Sequence, residues 1–284
     1  MIDFYKYHAL GNDYIIIDPN KPGLLPELNK NNIQLICNRN YGIGSDGILY
    51  GPIIKDDQIS LLIFNPDGSE AEKSGNGVRI FALYIFDKQY VKSQNFDLYT
   101  KGGKIKIEIK SLKSNLVTAL MGQYSFLSKD IPVIINDKEA LNQEIQLING
   151  YKEKIHCVSI GNPHCVMIKS EVSKDLILNY GPILERHKIF PNKINVQVVQ
   201  VLDRSNIKIE IWERGAGYTL ASGTSACAAT SVSYKLNLVN SSVTVHMRGG
   251  KVMTRIVGKE IFLAGEVSRV LNGSFNKEFI RKLT

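Results

Sequence analysis

Residues 61–84 read LLIFNPDGSEAEKSGNGVRIFALY, and residues 209–232 read IEIWERGAGYTLASGTSACAATSV. In each stretch a short strand-like run passes through one polar residue, Asn65 or Glu213. Nine positions further on comes a serine-glycine pair, Ser74-Gly75 or Ser222-Gly223. Small and apolar residues follow at helical spacing: Val78, Ile80, Phe81 and Tyr84 in one copy, Ala226, Ala229 and Val232 in the other. The copies lie 148 positions apart, and two further echoes keep nearly the same register. Thr100-Lys101-Gly102-Gly103-Lys104 returns as Met247-Arg248-Gly249-Gly250-Lys251, and Gly11-Asn12 returns as Gly161-Asn162. The chain reads as two copies of one half.

Each copy therefore places a serine at the start of a helix. The first N–H groups of a helix have no intrahelical acceptor and carry a partial positive charge, so a helix start can hold an anion. Serine is also a favoured N-cap whatever the function, and Ser74 and Ser222 could be caps and nothing more. A matched pair in a duplicated chain points instead to two helix starts acting on one small ligand such as a carboxylate.

A chain of 284 residues with 44% apolar and 22% charged residues is an ordinary globular protein, and the internal repeat argues for two domains. No apolar run approaches a membrane span, and the N-terminus lacks a basic segment followed by an apolar one, so no membrane association and a cytoplasmic location are expected. Cys37, Cys157, Cys165 and Cys227 form no C-x-x-C pair and no metal-ligand spacing with histidine; they are expected to be free thiols, with no metal. The net charge of +8 comes from scattered lysines rather than a basic helix or an aromatic-interleaved patch, so no nucleic-acid partner is expected.

Strand signals dominate, among them residues 4–7, 14–18, 47–50, 96–99, 105–109, 116–121, 145–148, 156–160, 165–168, 194–201, 243–246, 252–257 and 260–264. Helices are expected only over 33–38, 77–86, 176–179 and 225–235. Many strands with one principal helix per half predict an α+β fold. The boundary is expected near residues 117–122, with 1–118 plus 270–284 as the N-terminal lobe and 119–269 as the C-terminal lobe.

Polar residues stand in turn contexts around the two serines: Asn12, Asn65, Asn162, Asn195, and Glu213-Arg214. Asparagine beside glycine or proline often serves only a turn. An amide that both donates and accepts, with an arginine fork for a carboxylate, suits an amino-acid ligand.

The phrases His8-Ala9-Leu10-Gly11-Asn12-Asp13, Gly42-Ile43-Gly44-Ser45-Asp46-Gly47, Phe64-Asn65-Pro66-Asp67-Gly68-Ser69, Gly161-Asn162-Pro163-His164, Asn192-Lys193-Ile194-Asn195-Val196 and Glu213-Arg214-Gly215-Ala216-Gly217 resemble the motifs of the diaminopimelate epimerase family, in family order. The resemblance implies two pseudo-symmetric, β-rich, barrel-like domains, each around a central helix, with the active site between them. It implies a pyridoxal-independent epimerase, without cofactor, that interconverts LL- and meso-diaminopimelate for lysine and cell-wall synthesis. By the same resemblance Asn65, Asn195 and Arg214 bind the distal end of the substrate, and Asn12, Asn162 and Glu213 contact it near the reacting carbon. Gly75, Asn76, Gly223 and Thr224 offer backbone N–H groups to its α-carboxylate. A small-molecule amino acid is the expected partner, and a homodimer is among the assemblies allowed.

Two departures stand out. Family members carry two cysteines as the acid/base pair, where this chain has Ser74 and Ser222; and Tyr218 stands where the family often has glutamate. If a serine hydroxyl starts roughly five units above a thiol, the same activation falls short by ~7 kcal/mol. His164 or Glu213 could take up the difference as a base, with the serines either carrying the proton or positioning those groups. An isomerase of another amino acid, or a ligand-binding relative without turnover, are the alternative readings.

Overall fold

The computed structural model describes residues 2–23, 27–111, 113–147, 150 and 152–283. The strand expected over 145–148 is observed as Gln143–Gln146; Leu147 lies past its end, and Ile148 lies outside the described residues. The chain divides into two compact units, residues 1–119 with 265–284, and residues 120–264.

The first unit begins β1 (Asp3–Ala9), β2 (Asn12–Ile17), α1 (Lys30–Cys37), β3 (Ile48–Lys55), β4 (Gln58–Phe64), β5 (Glu70–Ala71), α2 (Gly75–Asp87), β6 (Asn95–Thr100), β7 (Gly103–Ser111) and β8 (Leu116–Gln123). The second comprises β9 (Gln143–Gln146), β10 (Lys152–Ser159), β11 (Pro163–Ile168), α3 (Lys174–Glu185), β12 (Asn195–Asp203), β13 (Asn206–Glu213), β14 (Gly217–Thr219), α4 (Gly223–Lys235), β15 (Ser242–Met247), β16 (Gly250–Val257) and β17 (Glu260–Glu266). The chain then returns to the first unit as β18 (Ser268–Ser274) and α5 (Lys277–Ile280).

Strand pairing repeats step for step. In the first unit β1 pairs antiparallel with β18 and β2, β2 runs parallel to β3, β3 antiparallel to β4, β4 parallel to β6, and β6 and β7 continue antiparallel to β8. In the second unit β9–β10–β11, β11–β12, β12–β13, β13–β15 and β15–β16–β17 follow the same antiparallel and parallel sequence. The parallel steps need crossovers, and α1 and α2, then α3 and α4, supply them.

The second crossover helix is the centre of each unit. α2 touches β1, β2, β3 and β7, while α4 touches β10 to β13, β15 and β16, so each sheet wraps its own helix. Every residue from Gly75 to Ile85 of α2 is buried, as are Gly223 and Ser225 to Ser233 of α4. A helix covered all round is mostly apolar or small all round; α2 uses Ile, Leu and Phe beside the hydrogen-bonded Asn76 and Arg79, and α4 uses alanine, serine and threonine. Strands with one wet face show clean alternation, as β16 does, whereas β2 is covered along nearly its whole length.

The helix ends also match. Ser74 and Ser222 are both extended N-caps, at φ −134°, ψ 120° and φ −149°, ψ 126°. At the other ends Gln89 and Asn237 share a left-handed φ of 60°, and the N–H groups of Tyr90 and Leu238 close back onto the carbonyls of Ile85 and Ser233. This six-to-one closure is the Schellman motif, repeated at the same 148-residue spacing.

Two elements depart from expectation. The helix predicted over 176–179 runs from Lys174 to Glu185 through Gly181 and Pro182, a pair that signals a stop by sequence. Gly181 is buried against Trp212, whose side-chain atoms would lie 2.6–2.8 Å from a Cβ there, so packing carries the helix through. β18 was not anticipated: most of its residues are exposed and its pattern does not alternate, yet it pairs with β1 from Asp3↔Ser274 to His8↔Ser268. Among the described residues no helix is long and apolar enough to cross a membrane.

Candidate active site

The first unit builds its site at the start of α2. Ser74 Oγ accepts the Gly77 N–H at 3.0 Å, and Ser74 O accepts that of Val78 at 2.9 Å. The earlier N–H groups, of Gly75 and Asn76, lie in the turn that has no intrahelical acceptors. Asn76 is fixed beneath by the fully buried Arg79, whose guanidinium donates to Asn76 Oδ1 at 2.8 Å and to Gly75 O at 3.0 Å. Asn76 in turn donates to Asn12 Oδ1 at 3.0 Å, and Asn12 donates to Asp46 at 2.9 Å. Arg39 bridges Asp46 and Asp13 at 2.7 Å each, and Lys6 completes the set on Asp13 at 2.9 Å. Burial raises the Asp13 carboxyl, but the hydrogen bonds from Arg39 and Lys6 hold it below its ordinary range.

Tyr14, two residues after Asn12, places its phenol 3.0 Å from Ser74 Oγ. Nothing in the sequence singled it out; its position directly after the Gly-Asn turn, shared with His164 in the second copy, is the signal that could have done so. Asn65 closes its own turn, accepting from Gly68 N at 3.0 Å and donating from its amide to Ser69 Oγ at 3.0 Å.

In the second unit Ser222 is 6% exposed, and its Oγ accepts the Ser225 N–H at 3.4 Å while its carbonyl takes that of Ala226 at 3.1 Å. Gly223 and Thr224 thus occupy the positions of Gly75 and Asn76. Burial pushes the Glu213 carboxyl up from its ordinary value, and the nearby Ser222 hydroxyl opposes that only in part. Glu213 is therefore a half-buried base beside a helix-capping hydroxyl.

His164 is fully buried on β11 and both ring nitrogens are engaged, Nδ1 with Gln197 Oε1 at 3.3 Å and Nε2 with Asn162 Oδ1 at 3.0 Å. Burial lowers its pKa to about 3, aided by the Arg214 charge and opposed by the Gln197 bond, so the ring is neutral. A neutral imidazole offers one donor and one acceptor, so one of these amides turns its NH₂ toward the ring. Gln197 spends its NH₂ on Ser225 Oγ at 3.0 Å, which leaves Asn162 to turn. The chain Asn162–His164–Gln197–Ser225 thus ends inside the first turn of α4.

Asn195 joins two predicted residues: its Oδ1 accepts the Arg214 backbone N–H at 2.9 Å while its amide donates to Pro163 O at 2.8 Å. The exposed Arg214 guanidinium donates to Asn192 O at 3.2 Å. Glu185, another group the sequence did not single out, takes Trp212 Nε1 at 2.8 Å and Gly215 N at 3.0 Å, and so pins the turn after Glu213. Tyr218 donates to the buried Glu210 at 3.0 Å, whose other oxygen takes Arg248 at 2.9 Å. All four cysteines are buried and none is in a disulfide among the described residues.

A family model described as diaminopimelate epimerase matches residues 4–127 and 156–270. The diaminopimelate epimerase 2 of Nostoc sp. is 47% identical over 279 residues, 97% of this chain and 96% of that protein. The diaminopimelate epimerase of Moorella thermoacetica is 34% identical over 280 residues, 96% of this chain and 98% of that one. Among solved structures, a hydroxyproline epimerase from Agrobacterium vitis superposes with a TM-score of 0.66 at 12% identity, covering 96% of this chain and 91% of that one. A PhzC/PhzF protein from Clostridium difficile gives 0.66 at 15% identity, covering 97% and 100%. The two structural likenesses bear on the fold alone.

Proposed function

The chain belongs to the diaminopimelate epimerase family and is an isomerase, and from that premise we propose that it interconverts LL- and meso-diaminopimelate without a cofactor, by removing and returning the proton at Cα. The observation that carries this reading is the Ser222–Glu213 pair: a hydroxyl on a helix start, beside a carboxylate whose basicity burial has raised. Ser222 takes the Cα proton as Glu213 takes the hydroxyl proton, so no free alkoxide accumulates. Ser74, on the equivalent helix of the other unit, carries the second proton.

The remaining roles follow from the chemistry of the groups. The N–H groups of Gly75, Asn76, Gly223 and Thr224 serve the α-carboxylate, where helix starts favour the charge that builds up as Cα loses its proton. Asn12 and Asn162 bind near the reacting carbon. Asn65, Asn195 and Arg214 hold the distal amino-acid end, and His164 acts by holding Asn162 and the first turn of α4. On this reading the enzyme serves lysine and cell-wall precursor synthesis in the cytoplasm and acts on a free amino acid, with a homodimer as one assembly open to it.

Incubation with LL-diaminopimelate in D₂O should give deuterium at Cα together with the meso isomer. Ser74→Ala and Ser222→Ala should each abolish formation of the meso isomer, while the serine left in place can still exchange the proton on its own face. Epimerisation that survives either substitution would refute the assignment of the serines, and no exchange by the wild type would refute the substrate.

A further inference from the structure

The two serines have chemically different partners, although the copies that carry them share one topology. Ser222 has the Glu213 carboxyl beside it, and the position equivalent to Glu213 in the first unit is Asn65, an amide that cannot ionise and is bonded to Ser69. The position equivalent to Tyr14 in the second unit is His164, which turns to Asn162 and Gln197. The ionisable side chain found on Ser74 is Tyr14, 6% exposed, with its oxygen 3.0 Å from Ser74 Oγ.

The ring is held in place by the backbone beneath it. A Cβ at Gly47 would lie 2.8 Å from Tyr14 Cε1 and 2.4 Å from Phe64 O, so a glycine just before β3 leaves room for the ring. The nearby charges are committed to one another, Asp13 to Lys6 and Arg39, and Asp46 to Arg39 and Asn12.

We infer that Tyr14 is the proton-relay positioning residue for Ser74, so that the two serines work through different acids: Ser222 through Glu213 and Ser74 through the Tyr14 phenol. This rests on the epimerase reading above. When the Cα carbanion is reprotonated from this side, the Ser74 O–H bond breaks as the C–H bond forms, and the Tyr14 O–H bond breaks as its proton passes to Ser74 Oγ. The product is a tyrosinate beside a neutral serine, and water returns the phenol proton before the next turnover in the same direction. Proton removal from this side is the same path reversed. A phenol is a better place for the charge than an alcohol, since the reference phenol ionises near 10, about five or six units below bulk water, the reference for an unactivated hydroxyl. The Gly77 N–H on Ser74 Oγ keeps that oxygen aimed while the proton passes.

The test is Tyr14→Phe, which keeps the ring against Gly47 and removes the hydroxyl. The expected result is a fall in kcat of about a hundredfold or more with KM within about threefold, and an unchanged thermal unfolding curve. Replacement of Tyr14 by 3-fluorotyrosine, a more acidic phenol, should move the alkaline limb of the kcat–pH profile down by the phenol's own drop in pKa. An active wild type whose Tyr14→Phe variant keeps kcat within threefold, or whose alkaline limb ignores the fluorine, overturns the relay and leaves the epimerase reading standing. A wild type without Cα exchange overturns both.

Discussion

The Ser222 hydroxyl stands near the carboxyl of Glu213, a residue nine positions earlier that ends β13, while Ser222 caps the helix that follows. Strand end and helix start thus meet at the pair proposed to carry the proton. Glu213→Gln keeps the shape and removes the base. Its kcat should fall by about a thousandfold, within the range typical of general-base loss. In the wild type the acid limb should lie above an ordinary carboxylate, because burial raises the group and the base form is lost as pH falls through its pKa. Steady-state rates of Cα deuterium exchange across pH check both points, and an unmoved acid limb in Glu213→Gln would mean another group is the base.

Thiols in place of the two hydroxyls should speed the reaction. A free thiol ionises near 8.5, and helix starts lower that further. The double change Ser74→Cys with Ser222→Cys should therefore raise the exchange rate at neutral pH by about a hundredfold or more, at ~1.4 kcal/mol per factor of ten. A rate that stays flat would show that neither position handles the proton.

Asn195 ties β12 to the turn that bears Arg214 through two hydrogen bonds. Asn195→Ala leaves the Arg214 N–H and Pro163 O without that partner, which should lower stability by about 1–3 kcal/mol. With Arg214 no longer aimed, KM should rise by about tenfold while kcat changes less, the signature of lost ground-state binding. Urea unfolding and initial-rate kinetics on one preparation separate the two effects.

Acid should unfold this protein through its buried histidines. Burial lowers His164 to about 3 and His156, with the Lys154 charge adding to the effect, to about 4. Both lie below the ordinary 6.5, so between these values the unfolded chain binds more protons than the folded one. Their contribution is complete above pH 6.5 and is lost as pH falls toward the folded values. Each histidine should remove about 2–3 kcal/mol between pH 6.5 and 4.5. His156→Gln should flatten the fall in stability over that interval by about that amount, as read from urea midpoints at several pH values. Equal slopes in variant and wild type would refute the assignment.

Much of the fold can be read along the chain because its signals are local. The Ser-Gly pairs mark the two helix starts, and strands such as β16 alternate residue by residue because one face is wet and the other buried. β18 escapes such reading, since its mostly exposed side chains carry no alternation and its place depends on backbone pairing with β1 at the far end of the chain. α3 escapes for the opposite reason. Its Gly181-Pro182 reads as a stop, yet Trp212 packs into the space the glycine leaves, and Glu185 is carried to the turn it pins.

By itself the sequence determined a duplicated chain with a serine-capped helix start in each half, since caps, alternation and repeat spacing are properties of neighbours along the backbone. Only the tertiary structure decided which acid each serine meets. Tyr14 reaches Ser74 across 60 positions, and burial sets the Glu213 carboxyl and the His164 ring apart from their ordinary values. Proton affinity depends on what surrounds a group in space and on how much water it has lost, and neither is written in its neighbours along the chain.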